Sequence, residues 1–194
     1  RGVACYARLP LAPRIVWMRG FHKMYDPLTA VAAFSAVHKR HPAATLAMHG
    51  PELGDGSLAS SRRLAARLGL QSAIRFLGPA AKSEVPRILS HADIFLNTSR
   101  VDNAPLSVVE AMAAGLCVIS SDCGGIPDLI DHKKQGLLIE PGDAPGFARA
   151  MHTLLDSPTL AAELSIRAGA RAQALDWQWV LPRWRSILRE AARQ

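Results

Sequence analysis

Cysteine is scarce in this chain. The three present, Cys5, Cys117 and Cys123, are odd in number and no two have CxxC spacing. That excludes a disulfide framework and a cysteine-based zinc site, and suits a reducing compartment. The seven histidines do not gather at ligand spacing either. His38 and His41 are three apart, but their Lys-Arg surroundings read as the end of a helix, so no metal and no cofactor is expected. No apolar stretch approaches the length that crosses a bilayer, and no basic-then-apolar leader opens the sequence. The expected location is therefore the cytoplasm, with peripheral contact at the inner face of a membrane as a second option. Internal repeats and low-complexity segments are missing too. The first residue is Arg1 rather than Met, so a fragment of a longer chain is expected.

What is present is a 194-residue chain that is 49% hydrophobic and 20% charged. This suits one domain with a real core, or at most one and a half. The formal net charge of +7 favours an anionic partner: nucleotide, phosphate, nucleic acid or membrane surface. A basic surface tuned only for solubility accounts for the charge equally well.

Short apolar runs alternate with longer helical patterns. The runs are Ile15–Met18, Ala44–Met48, Ile74–Leu77, Ile94–Leu96, Val118–Ile119 and Leu137–Ile139. Apolar runs this short, without polar alternation, predict strands buried on both faces. Between them, helices are predicted over Pro27–Arg40, Ser57–Leu68, Ser83–His91, Pro105–Ala114 and Asp143–Leu155. Gly69 and Gly115 mark stops, Pro105 a first helical position and Asp143 a cap. Two further helices follow, Pro158–Ala174 and Asp176–Ala192. Six strand–helix alternations imply an α/β fold, a parallel sheet wound on both faces. Residues 1–13, with Pro10 and Pro13 and no period, read as a linker; 14–175 is the domain and 176–194 a C-terminal helix.

In such a sheet ligands bind beyond the carboxyl ends of the strands, near the switch in strand order. The loop after the first strand carries Arg19 and Lys23, a planar fork and a point charge suited to phosphate. The loop after Leu96 carries Asp102, and the next helix carries Glu110. Helical side chains lean toward the N-terminus, so Glu110 is expected to reach the space that Asp102 overlooks, where the positive helix end also points. Amides and cations suit a diphosphate, while carboxylates suit the vicinal hydroxyls of ribose or a hexose. A nucleotide-sugar offers all of these together. Asp102 as a plain turn cap and Glu110 as a solvated helix residue are the structural alternatives.

The stretch DNAPLSVVEAMAAGLCVISSDCGGIPDLI, residues 102–130, closely resembles the C-terminal domain of retaining GT-B glycosyltransferases of the "group 1" class. An acid, seven residues and then Glu-Ala-Met-Ala-x-Gly is the mark of that class. RFLGPAAKSEVPRILSHADIFLNTS before it and HKKQGLLIEPGD after it extend the resemblance from about residue 14 to 155.

The resemblance implies a Rossmann-like domain that binds a nucleotide-diphospho-sugar for glycosyl transfer with retention. By the same implication Glu110 holds the donor's ribose hydroxyls and Asp102, where Glu is usual, faces the donor sugar. Arg19 and Lys23 neutralise the diphosphate, although Lys23-Met24 replaces the usual Lys-Gly pair. Asn103, Ala104, Pro105, Leu106 and Ser107 form the helix entrance; Pro105 has no N–H, so Leu106 and Ser107 must supply the amides. Gly50 follows the second strand, Leu77 begins the nucleobase pocket and Gly124 makes a tight turn near the site. Arg19, Lys23 and the amides share the charge that develops on the leaving diphosphate, and no metal is required for this.

A GT-B enzyme needs a second, N-terminal domain for the acceptor, whether saccharide or lipid-linked, and only one domain fits here. The last helix, with Trp177, Trp179, Trp184, Arg183, Arg185, Arg189 and Arg193, is read first as packing on that missing domain. The rival reading lays it on an anionic membrane. A non-catalytic nucleotide or nucleotide-sugar binding module is the alternative function. A nucleotide-sugar epimerase of the same fold is opposed by the Glu-Ala-Met-Ala run. Nucleic-acid binding rests on charge alone, and no nucleic-acid partner is expected.

Overall fold

The computed structural model describes residues 11–192. Six strands form one all-parallel sheet: β1 (Arg14–Met18), β2 (Thr45–His49), β3 (Ile74–Leu77), β4 (Ile94–Asn97), β5 (Cys117–Ser121) and β6 (Leu137–Ile139). Their order is β3-β2-β1-β4-β5-β6, so the chain steps outward from β1 in one direction and returns to fill the other side. The switch lies between β1 and β4, where Ile15 pairs with Ile94 and Val16 with Phe95. Every predicted strand is present. The most under-measured is β5, expected as Val118–Ile119, because Ser120 and Ser121 do not extend an apolar run although both are fully buried.

The alternation inside each strand feeds two cores, as a doubly covered sheet requires. Ile15, Trp17, Leu46, Met48, Ile94 and Leu96 face one side. There they meet α1 (Pro27–Arg40), α2 (Ser57–Arg67) and α6 (Ala144–Asp156), whose Val31, Phe34, Ala65, Phe147 and Met151 are buried. Val16, Phe95 and Val118 face the other. Those three pack with α3 (Val85–Ser90), α4 (Leu106–Ala113) and the far end of α7 (Pro158–Gln173), through Leu89, Val108, Met112 and Ala168.

Helix boundaries depart from expectation where proline sits. Pro105 is extended, at φ −67 and ψ 109, and stands just outside α4 instead of at its first position. The predicted helix from Ser83 is a 3-10 turn, Lys82–Glu84, that runs into α3, with Pro86 in the first turn. A one-turn helix, α5 (Ile126–Leu129), is too short to have left a period in the sequence. The expected cap forms, with Asp143 accepting from Gly146 N; Asp176 also caps, accepting from Gln178 N.

Residues 1–10 of the expected linker lie outside the described residues. Leu11 is buried in the first core, and the Pro13 carbonyl accepts from Thr45 N at 3.0 Å. At the other end α8 (Trp177–Ala191) buries none of its residues. Its Trp177, Trp184, Ile187 and Leu188 are exposed; Arg193 lies outside the described residues. No helix among the described residues is long and apolar enough to cross a membrane.

Candidate functional site

The loops after β1 and β4 meet at the switch point. Arg19 leaves β1 with its N–H on the His49 carbonyl, and Phe21 then dives back into the core. Phe21 is fully buried, with its ring centroid 5.1 Å from Trp17 and 6.1 Å from Phe76. Its backbone also pairs with the loop after β2: Phe21 N donates to Pro51 O, and Leu53 N to Phe21 O. Asp55 of that loop accepts from Lys23 N at 2.7 Å. Hydrogen bonds, led by the Ser57 side chain and followed by Lys23 N, lower the Asp55 pKa to about 2.

This framing aims Arg19. Its guanidinium lies 4.3 Å over the Tyr25 ring and pairs with the Asp102 carboxylate; both side chains are largely buried. Arg19 Nε is buried with no hydrogen-bond partner among the described residues. Lys23, by contrast, is exposed, and its described bond to Asp55 is through the backbone.

Asp102 is held from below by a polar floor. Asn97, Thr98, Ser99, Ser120 and Ser121 are fully buried at the carboxyl ends of β4 and β5. Asn97 Nδ2 donates to Ser120 Oγ at 2.9 Å. Ser99 Oγ lies 2.8 Å from Asn97 Oδ1 and 3.1 Å from Asp102 Oδ2, so its one proton serves either acceptor. Gly125 N donates to the Asp102 carbonyl at 3.1 Å. A Cβ on Gly124, whose φ is +55, would strike that same carbonyl. A Cβ on Gly50 would strike the Arg19 carbonyl. Both glycines are therefore places where one loop's backbone needs the space of another's missing side chain. Leu77, half-buried at the end of β3, lies beside Gly50, whose N–H approaches its carbonyl at 3.4 Å.

Three clefts open around this frame. One, about 390 Å³, is lined by Arg19, Tyr25, Asp102, Asn103, Ala104, Pro105 and Leu106, with Asn103, Ala104 and Leu106 exposed. A second, about 210 Å³, is lined by Arg19, Gly20, His49, Gly50 and Ser107. Arg19 is common to both, and Ser107 Oγ, like Arg19 Nε, is buried with no partner among the described residues. Glu110 lines a third cleft of about 310 Å³ with Lys82, Val85, Leu89, Ala113 and Ala114. Thus the two acids that sequence reasoning placed over one space line different clefts, because Glu110 sits more than one turn down α4. Burial raises the Glu110 pKa, and Lys82 partly offsets the rise. Burial, followed by the nearby Asp102 charge, raises that of Cys123. Among the described residues no three His, Cys, Asp or Glu side chains are grouped to hold a metal.

Sequence reasoning did not single out Tyr25, Ser99 or Phe21. An aromatic inside a Gly-His-Lys loop, and a run of small polar residues straight after a buried strand, were the signals for the last two. Nothing local marked Tyr25.

The profile of the family described as "Glycosyl transferases group 1" matches residues 12–157. The chain is 27% identical over 187 residues to the D-inositol 3-phosphate glycosyltransferase of Corynebacterium glutamicum, covering 94% of this chain and 45% of that protein. It therefore spans less than half the length of that relative. It superposes on Anabaena HepE in complex with UDP with a TM-score of 0.85 and 22% identity, over 92% of this chain and 49% of that one. The C-terminal domain of a group 1 family protein from Francisella tularensis gives a TM-score of 0.74 and 21% identity, over 83% of this chain and 85% of that one. With three quarters of its length matched by the family profile, on the Rossmann-like fold of its GT-B neighbours, this chain belongs to the group 1 glycosyl transferases.

Proposed function

We propose that this chain is the donor-binding half of a retaining glycosyltransferase, and that it holds a nucleotide-diphospho-sugar between the β1 and β4 loops. The observation that carries this reading is that Arg19, which lines both clefts at the start of α4, and Ser107, which lines one of them, each bury a polar atom, Nε and Oγ, that has no partner among the described residues. A buried polar atom without a partner is costly unless a ligand supplies one. The first amides of α4, Leu106 and Ser107, add free N–H groups and the positive end of the helix dipole. That set suits the acceptor-rich diphosphate of a donor, and UDP is the group bound to HepE in its complex.

In this reading Arg19 and the α4 amides stabilise the charge that builds on the departing diphosphate. Asp102 orients Arg19 and accepts from a sugar hydroxyl with its remaining lone pairs. Glu110 accepts from the ribose hydroxyls across α4, beside an apolar wall, Val85 and Leu89, that suits the nucleoside end. Gly50 lines the cleft that Arg19 and Ser107 share, with Leu77 beside it, and Lys23 adds long-range attraction from the rim. Two carboxylates in separate clefts do not form the acid and nucleophile pair of a glycosidase. The acceptor, a saccharide or a lipid-linked one, belongs to a second domain, and the bare face of α8 is where that domain packs.

Calorimetric titration with UDP, GDP and ADP tests the proposal. Binding of one nucleotide should weaken about tenfold or more in Arg19→Ala, since a charge-assisted contact to phosphate is lost. Equal binding by Arg19→Ala would remove the diphosphate from this site. A tight nucleotide complex with no transfer by the longer protein would favour the non-catalytic binding module.

A further inference from the structure

We propose that Asp26 and Arg100 form a latch that locks the β1 loop to the β4 loop, so that Arg19 and Asp102 stand in their paired geometry before any ligand arrives. Asp26 is one of two described non-glycine residues with positive φ, at φ 45 and ψ 60. It caps α1, its carboxylate accepting from Thr29 N at 3.1 Å and Thr29 Oγ1 at 2.9 Å. Capping alone does not ask for this backbone, since a cap residue ordinarily sits in the extended region. Nor does it ask for a cation, yet Arg100 brings its guanidinium to Asp26 Oδ2 at 2.7 Å.

The two loops are joined at further points around that pair. Arg100 N donates to the Met24 carbonyl at 2.7 Å. Thr98 Oγ1 accepts from Trp17 Nε1 at 3.0 Å and turns its proton to the carbonyls of Tyr25 and Asp26, 3.0 and 2.9 Å away. The Arg100 guanidinium also lies over Gly142, where a Cβ would come within 3.1 Å of it, so a third loop, before α6, is touched. Each side of the latch then bears on the site. Tyr25, next to Asp26, carries the Arg19 guanidinium on its ring. Asp102 is separated from Arg100 by Val101 alone. Arg100 and Asp26 are thus positioning residues, acting through Tyr25 and Asp102. Strained backbone of this kind persists where its surroundings over-determine it, and such places cluster at ligand clamps. The ligand part of this inference rests on the donor-binding reading above.

Two measurements on the full chain separate the outcomes. In Arg100→Met, hydrogen exchange at the Arg100-site amide and at Gly125 N, which bond Met24 and Asp102, should speed about tenfold while β5 and α7 keep their protection. UDP affinity by calorimetry should fall about three- to tenfold, and Arg100→Lys should restore part of both. Asp26→Asn keeps an acceptor for Thr29 N and tolerates the left-handed backbone, so it removes the charge without the cap. It should resemble Arg100→Met, and the double variant should be no worse than either single one. Unchanged exchange in both single variants would overturn the latch. Faster exchange with unchanged UDP affinity would sever it from the site. No UDP binding by the unaltered chain would count against the donor reading instead, with exchange still deciding the latch.

Discussion

Glu110 is the residue whose protonation should govern ligand binding. Burial raises its pKa above the ordinary 4.5, with Lys82 opposing. The folded protein therefore holds that proton to higher pH than the unfolded chain. The contribution to stability is complete below 4.5 and is lost as pH rises through the raised value. Ligand binding runs the other way, because only the carboxylate accepts from two hydroxyls. Nucleotide affinity should decline on acidification at a pH above 4.5, and Glu110→Gln should flatten that dependence in a calorimetric pH series. Gly124 sets a different limit. Alanine there meets the Asp102 carbonyl at a φ of +55. Gly124→Ala should lose about 1–3 kcal/mol of stability by urea denaturation, and nucleotide affinity with it.

At the scale of elements, the loop after β1 behaves as part of the core. Phe21 is what makes it so, wedged between Trp17 and Phe76. Phe21→Ala should cost about 3–5 kcal/mol in chemical denaturation, as large aromatic truncations do. Asp55 adds a tie with an acid limit. Its folded pKa of about 2 against 3.8 means that its support is present above 3.8 and is lost as pH falls toward 2. Asp55→Asn should remove that dependence from an acid-unfolding curve. Much of this level was legible in the sequence. The strands announced themselves as apolar runs, Asp143 as a cap, and Arg19 and Asp102 by their place after strands. The Asp26–Arg100 pair was not legible, because its members are far apart in the chain and meet only once β1 and β4 lie side by side. Nor was the parting of Asp102 from Glu110, since helical lean predicts a direction but not which cleft the next turn faces. The short α5 and the turn before α3 carry too few residues to register a period.

For the whole molecule, the bare helix α8 is the feature out of keeping with the rest. Trp177 is 73% exposed and Leu188 61%, on a helix that buries nothing. Contiguous apolar surface of this kind marks a contact face. Expressed as the 194-residue chain, the protein should self-associate through it, and Trp177→Ser with Trp184→Ser should shift sedimentation toward the monomer. Unchanged sedimentation in that double variant, with association persisting, would place the contact elsewhere.

The strand order also dictates a schedule for folding. β1 is central, but one of its neighbours, β4, lies far down the chain, and Trp17 finds its partner Thr98 81 residues away. Non-local parallel pairing of this sort is slow to close. During synthesis β1 must wait, half-partnered, until the segment through β4 has left the ribosome. Trp17 is fully buried, whereas Trp177, Trp179 and Trp184 are exposed. The blue edge of the tryptophan emission is thus a built-in clock for the moment when the two halves of the sheet join.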